Sequence, residues 1–154
     1  MYCLQTNALS QADDFVEAYR RCVQGKNPSI DEYGRTCCSV VNIPAIVNAA
    51  FACELYLKSI LGTNTKEHNL AILYSQLDNE KQSRIRQYVD KSFDGHSIYS
   101  FDSCLKRAAN VFVNWRYIYE NEHSDGYMGC FINEYLEFFK HFVLVLKEIA
   151  HANK

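Results

Sequence analysis

The chain has little of what breaks a helix. Two prolines and six glycines in 154 residues leave few forced interruptions, so long helices are expected. It has no Gly-rich phosphate loop, no H-E-x-x-H pair and no serine elbow, which leaves nucleotide hydrolysis, zinc proteolysis and serine chemistry without support. Its Asp, Glu and His residues form no metal-ligand cluster, so neither a metal nor a cofactor is expected. Basic charge is not in excess either. Lysine and arginine number 16 against 18 acidic residues, a net charge of −2. That excludes a broad nonspecific nucleic-acid surface and confines any RNA contact to a local groove.

Disulfide spacing is also missing. The seven cysteines stand at positions 3, 22, 37, 38, 53, 104 and 130. Their number is odd and no pair is C-x-x-C, so the set reads as reduced thiols of a cytoplasmic protein. The start, "MYCLQTNALSQADDF", lacks the basic, apolar and small-residue succession of a signal peptide. The stretch "CFINEYLEFFKHFVLVLKEIA" is interrupted by Glu134, Glu137, Lys140 and Lys147 and is not expected to span a membrane.

What is present is a globular balance, 48% hydrophobic and 22% charged, which suits one domain over residues 1–154. The periodicity predicts an all-α, up-and-down bundle of five to six helices. A first helix is expected from Ser10, a suitable cap, to about Gln24, with Gly25 as the stop. The segment that follows, "GKNPSIDEYGRTCCSVVN", reads as a loop with at most a short helix. The second helix, "IPAIVNAAFACELYLKSILG", starts at an Asn42 cap and closes at Gly62. Its seam is Ile43, Val47, Ala50, Glu54, Leu57 and Leu61. Glu54 is the exception on that apolar stripe, and a buried carboxylate needs a cation and donors.

A short helix in "EHNLAILYSQL" and a polar one capped by Asp78 come next. A fifth helix, "FDSCLKRAANVFVNWRYIYE", carries the stripe Phe101, Leu105, Ala108, Phe112, Trp115 and Tyr119. Arg116 sits beside that stripe and is the expected partner of Glu54, because a guanidinium satisfies a carboxylate through two parallel bonds. The last helix, Cys130 to Ala150, has two apolar stripes, one through Phe131, Phe138 and Phe142, the other through Ile132, Phe139 and Leu146. So wide an arc predicts a central helix, a subunit interface, or both.

Three blocks in order, "AAFACELYLKSILG", "KEHNLAILYSQL" and "FVNWRYIYENEH", resemble the HEPN family of helical-bundle proteins over residues 42–150. The family pattern is an E-L-x-L-K-like helix, a G-H-[ND]-L segment and an R-x4-6-H motif. Here Glu67 stands at the glycine position, six residues separate Arg116 from His123, and Tyr117 takes the place of the polar residue that often follows the arginine. The resemblance implies a metal-independent endoribonuclease of a toxin or defence type, working as a homodimer with arginine and histidine facing a shared cleft. It also implies an antitoxin or a nucleotidyltransferase-type protein as partner. Other members of the family are non-catalytic binding modules.

In the ribonuclease reading Arg116 holds the scissile phosphate while His123, which titrates near neutrality, moves a proton. Glu54 orients Arg116, and Tyr117 offers an exposed ring for stacking on a base. Lys106 and Arg107 would extend a phosphate track. In the alternative reading the chain is a non-catalytic interaction module, and Arg116 and Glu54 form a structural ion pair. His68 is expected to pack and organise its turn in either case.

Overall fold

The computed structural model describes residues 4–24, 29–30, 32–34, 36–37, 42–93, 100–116 and 132–153. Among them, seven helices and one minimal ladder occur: α1 (Leu4–Gln24), β1 (Ser29–Ile30), β2 (Thr36–Cys37), α2 (Asn42–Leu61), α3 (Leu70–Ser75), α4 (Asn79–Ser92), α5 (Phe101–Ala108), α6 (Val111–Arg116) and α7 (Ile132–Ala152). The expected all-α bundle is the architecture found. The segment after α1, expected to be a loop or a short helix, instead contains an antiparallel pair with Ser29 opposite Cys37 and Ile30 opposite Thr36. A turn containing Gly34, at φ 75°, joins the two, in the left-handed region that glycine adopts without Cβ strain.

The centre of the bundle is α2. Alanines 45, 49, 50 and 52 are fully buried along it, with Ile46, Cys53, Tyr56 and Leu57. Small side chains on several faces let α1, α3, α6 and α7 all pack against this one helix, which suits close interaxial approach. By length and composition α2 could cross a membrane; in this fold its apolar surface is taken up by the core. Its seam is deepest in the middle, where Ala50, Glu54 and Leu57 are buried, while Ile43 is exposed and Val47 and Leu61 are half-buried. The helix ends as expected at Gly62, φ 66°. The Thr63 amide donates to the Lys58 carbonyl (3.1 Å) and the Gly62 amide to that of Ser59 (3.2 Å), the paired bonds of a Schellman stop.

Three boundaries differ from expectation; Asn42, expected to cap α2, is its first helical residue. Ser10 is not a cap; α1 begins at Leu4, because nothing in "LQTNAL" opposes a helix and buried Leu9 already belongs to the stripe completed by Ala12, Val16 and Tyr19. The expected fifth helix is two, α5 and α6, separated at Ala109 and Asn110. The Ala109 carbonyl accepts the first amide of α3, Leu70 N–H, at 2.9 Å. Asn110, a residue whose side chain competes for backbone groups, begins the next turn, and its carbonyl accepts from Asn114 N–H. The stripe survives the break, since Phe101, Leu105, Ala108, Phe112 and Trp115 are all buried. Tyr119 lies outside the described residues, as do Gly25 and Phe131.

Both stripes of α7 are used within the chain. Phe138, Phe142, Val145 and Ile149 of one, and Phe139, Val143, Leu146 and Ala150 of the other, are buried against α1, α2, α4 and α5. Phe101, Phe138 and Phe142 form a mutual cluster with centroids 5.1–6.0 Å apart. The width of this arc is therefore accounted for by the core. The expected Asp78 cap is present, its carboxylate accepting Lys81 N–H at 2.9 Å, and Asn69 and Ser100, not foreseen as caps, close the starts of α3 and α5.

Candidate functional site

Glu54 is 1% exposed, yet its two oxygens are treated differently. Oε1 accepts from Lys58 Nζ at 2.7 Å and from His68 Nδ1 at 3.0 Å. Oε2, among the described residues, has no hydrogen-bond partner. Lys58 lies one turn further along α2, so this half of the arrangement follows from helical spacing alone. Lys58 and His68 are the described side chains that bind Glu54; the pairing expected with Arg116 falls on a side chain outside the described residues. Position 116 closes α6, and the arginine side chain lies outside the described residues, as do Tyr117 and His123.

His68 is delivered by a loop that side chains hold from within. Thr63 Oγ1 accepts Thr65 N–H (3.3 Å) and Thr65 Oγ1 accepts Glu67 N–H (3.2 Å). Glu67 Oε1 then accepts the amides of His68 (2.9 Å) and Asn69 (2.7 Å). At the position where the family pattern has glycine, Glu67 thus spends its carboxylate on two successive N–H groups. Asn69 Oδ1 takes the next pair, from Ala71 and Ile72. Such local bonds are how short polar and acidic side chains set a turn. The expectation that His68 packs at a turn holds, but its ring also reaches the buried carboxylate.

An aromatic ladder leads to the ring. Phe15 of α1 meets Phe51 of α2 edge-on at 4.5 Å, Phe51 stacks on Phe112 of α6 at 4.3 Å, and Phe112 lies 6.2 Å from the His68 ring. The ring thus contacts the Glu54 carboxylate and lies near Phe112, tilted 41° to it, while its side chain remains 48% exposed. A carboxylate can only accept, so Nδ1 carries the hydrogen of this bond. In the neutral ring Nε2 is then an acceptor. Phe112 and position 116 are four residues apart on one face of α6.

A second polar cluster was not foreseen. Asp13 Oδ1 accepts from Tyr56 Oη at 2.6 Å, and His151 Nε2 lies 3.1 and 3.0 Å from Oδ1 and Oδ2. Lys147 Nζ is 3.4 Å from Oδ1. Burial opposes ionisation of Asp13, but the bonds from Tyr56 and His151 and the charge of Lys147 outweigh it and hold the carboxyl below its ordinary 3.8. Burial, followed by the bond to Asp13 and its charge, pushes the Tyr56 phenol up, so Tyr56 stays a donor. The cluster joins α1, α2 and α7.

Arg107 Nη1 is bound to Glu134 at 3.1 Å, while Lys106 is exposed. Cys22, Cys53 and Cys104 are free thiols, and burial raises that of Cys53 well above its usual range, which leaves it unreactive. Among the described residues, no group of three or more His, Cys, Asp or Glu side chains is placed to hold a metal. A cleft of about 450 Å³ opens between Val16, Tyr19 and Val23 of α1 and Leu136, Val143 and Leu144 of α7. Neither Glu54 nor His68 lines it.

The spacing of Glu54 and Lys58 in "ELYLK" was a readable signal for their contact. Asp13 and His151 are 138 residues apart and gave none. Comparison of the chain with family models, with curated proteins and with solved structures finds no match. The functional reading therefore stands on this chain's own residues.

Proposed function

We propose that the chain is a HEPN-like domain that cleaves RNA without a metal, with Arg116 and His123 as the working pair at a homodimer cleft. One observation carries this reading. Glu54 and Lys58 of the "ELYLK" block and His68 of the "HNL" block share one carboxylate oxygen, and His68 lies against Phe112, one turn before Arg116. Blocks noticed separately in the sequence thus meet at one place, with Lys58 and His68 both bound to Glu54. Composition and periodicity do not require that meeting.

In the proposed reaction the Arg116 guanidinium, charged at every working pH, holds the scissile phosphate and offsets charge on its non-bridging oxygens. His123 transfers a proton at the 2′-hydroxyl or the leaving oxygen. A toxin-type ribonuclease of this kind would act in the cytoplasm and be held in check by an antitoxin or a nucleotidyltransferase-type partner. A second reading, a non-catalytic interaction module, is favoured by the burial of Glu54 between Lys58 and His68, an ion network that ties α2 to the following loop whether or not any chemistry occurs.

The test is cleavage of a structured RNA by the purified protein in EDTA, beside Arg116→Ala and His123→Ala. EDTA-resistant cutting lost in both variants is the expected result. An intact substrate with the wild-type protein, or cutting that survives both substitutions, overturns the ribonuclease reading in favour of the interaction module.

A further inference from the structure

Helices α1 and α7 are tied together at one end and part beyond it. Asp13 of α1 meets Lys147 and His151 of α7 at 3.4 and 3.0 Å. Past that clamp α1 packs chiefly on α2, and the cleft of about 450 Å³ lies between it and α7. Small-molecule sites occupy roughly 300–1,000 Å³, so the space is of the right order for a ligand. Its walls carry Val16 and Val23 on one side and Leu136, Val143 and Leu144 on the other. Leu144 is 49% exposed, and the apolar surface left to water here is what a bound hydrocarbon group would cover.

Three polar groups in the same lining share one character. Arg20 stands on α1 and Lys140 on α7, both exposed, and no ion pair or side-chain hydrogen bond among the described residues engages either. Long side chains of this kind lay their stems on an apolar wall and keep the charge at its rim. Tyr19 is only 8% exposed and lines the cleft, yet its hydroxyl has no hydrogen-bond partner among the described residues. A buried hydroxyl left without a partner calls for one. Burial, followed by the neighbouring Cys53 and Glu137, pushes the phenol up, so it stays protonated and can donate. The one carboxylate of the described lining, Glu137, already has His141 Nε2 at 2.9 Å. The two cations are therefore in excess at the rim.

We propose that this cleft binds a single-chain anionic amphiphile, an acidic head on an alkyl tail, with the tail between the α1 and α7 walls and the head held by Arg20, Lys140 and the Tyr19 hydroxyl. Each half of such a ligand answers an observation that the other half cannot. A small anion leaves the apolar walls wet. A plain hydrocarbon leaves the phenol and both cations without an acceptor. Neither Glu54 nor His68 lines the cleft, so the site stands apart from the ribonuclease reading.

The experiment titrates the full chain with decanoate by isothermal titration calorimetry. Acetate, a head without a tail, and decyltrimethylammonium, a tail with the opposite head, are the controls. Decanoate is expected to bind saturably, one per chain, and to raise the melting temperature with its concentration; the two controls should do neither. Tyr19→Phe keeps the ring and removes the donor, and should weaken decanoate about tenfold or more. Arg20→Gln and Lys140→Gln should each weaken it about two- to fivefold. Leu144→Glu places a carboxylate at an exposed wall position and should abolish binding, with the ligand-free melting temperature verifying that the fold is kept. Vesicles of phosphatidylcholine and phosphatidylglycerol should not sediment the protein, which separates a free amphiphile from a lipid surface. Absence of saturable decanoate binding overturns the proposal. So does equal binding of decyltrimethylammonium, or an affinity unchanged in both Tyr19→Phe and Lys140→Gln. Sedimentation with the vesicles that Leu144→Glu abolishes would replace the ligand site with a membrane-contacting face.

Discussion

Two carboxylates, Asp13 and Glu54, each meet a histidine and a lysine in this bundle, and the residues of α2 serve both. Around Asp13, both oxygens are engaged by groups from α2 and α7. Around Glu54, both described donors converge on Oε1, one from its own helix and one from a loop, and Oε2 has no partner among the described residues. The first arrangement spreads a charge over three helices and satisfies it, which is what a structural clamp requires. The second concentrates its described donors on one oxygen and puts a half-exposed imidazole at the surface. Similar side chains thus serve different ends, and the difference lies in how many helices each carboxylate joins and which of its oxygens are occupied.

The largest expected effect is on the buried side of that comparison. Glu54→Ala takes the buried carboxylate from the partly buried Lys58 ammonium, and should destabilise the fold by about 3–5 kcal/mol. For a chain of this size that lowers the melting temperature on the order of 10 °C. An unchanged melting temperature would mean that Glu54 holds nothing together.

Next comes Tyr56→Phe, which removes one hydrogen bond to a charged group and is expected to cost about 1.5–3 kcal/mol. Urea denaturation should show a lower midpoint at an unaltered slope. A midpoint equal to wild type would strip the Asp13 cluster of its role as a clamp.

Acid should separate the same cluster from the rest. The folded-state pKa of Asp13 is depressed below 3.8, so its contribution is complete above that value and is lost as pH falls through the lowered folded one. The stability difference between wild type and Asp13→Asn should therefore be constant near neutrality and shrink below pH 3.8. A difference that stays level down to pH 2 contradicts the assignment. The smallest effect belongs to Lys147→Ala, whose side chain is 41% exposed and sits 3.4 Å from Asp13; about 0.2–1 kcal/mol is expected. A loss as large as that of Tyr56→Phe would move the weight of the clamp to α7.

Much of this was legible in advance, and the exceptions share a cause. The Gly62 stop, the Asp78 cap and the buried stripes of α5, α6 and α7 follow from local chemistry and helical period. Ser10 misled because a good cap residue can also sit inside a helix when upstream residues are helix-compatible and one of them, Leu9, has a core to enter. The break at Ala109 was not readable, because what occupies its carbonyl is Leu70 N–H, a group from a distant part of the chain. The need of Glu54 for a partner was evident from its stripe; Lys58, one turn away, and His68 meet it on one oxygen, while the pairing expected with Arg116 falls outside the described residues.

By itself, the sequence determined the class of the fold, because few prolines and glycines and a sustained helical period leave an all-α bundle as the way to bury so many apolar side chains. It also determined that Glu54 must be compensated, since a carboxylate on a core stripe cannot stay alone in a low dielectric. Which groups compensate it, and that Asp13 finds Tyr56, Lys147 and His151, was decided only by the tertiary structure. Hydrogen bonds between side chains 14 to 138 residues apart depend on how helices are set against one another, and that setting comes from the whole core acting at once.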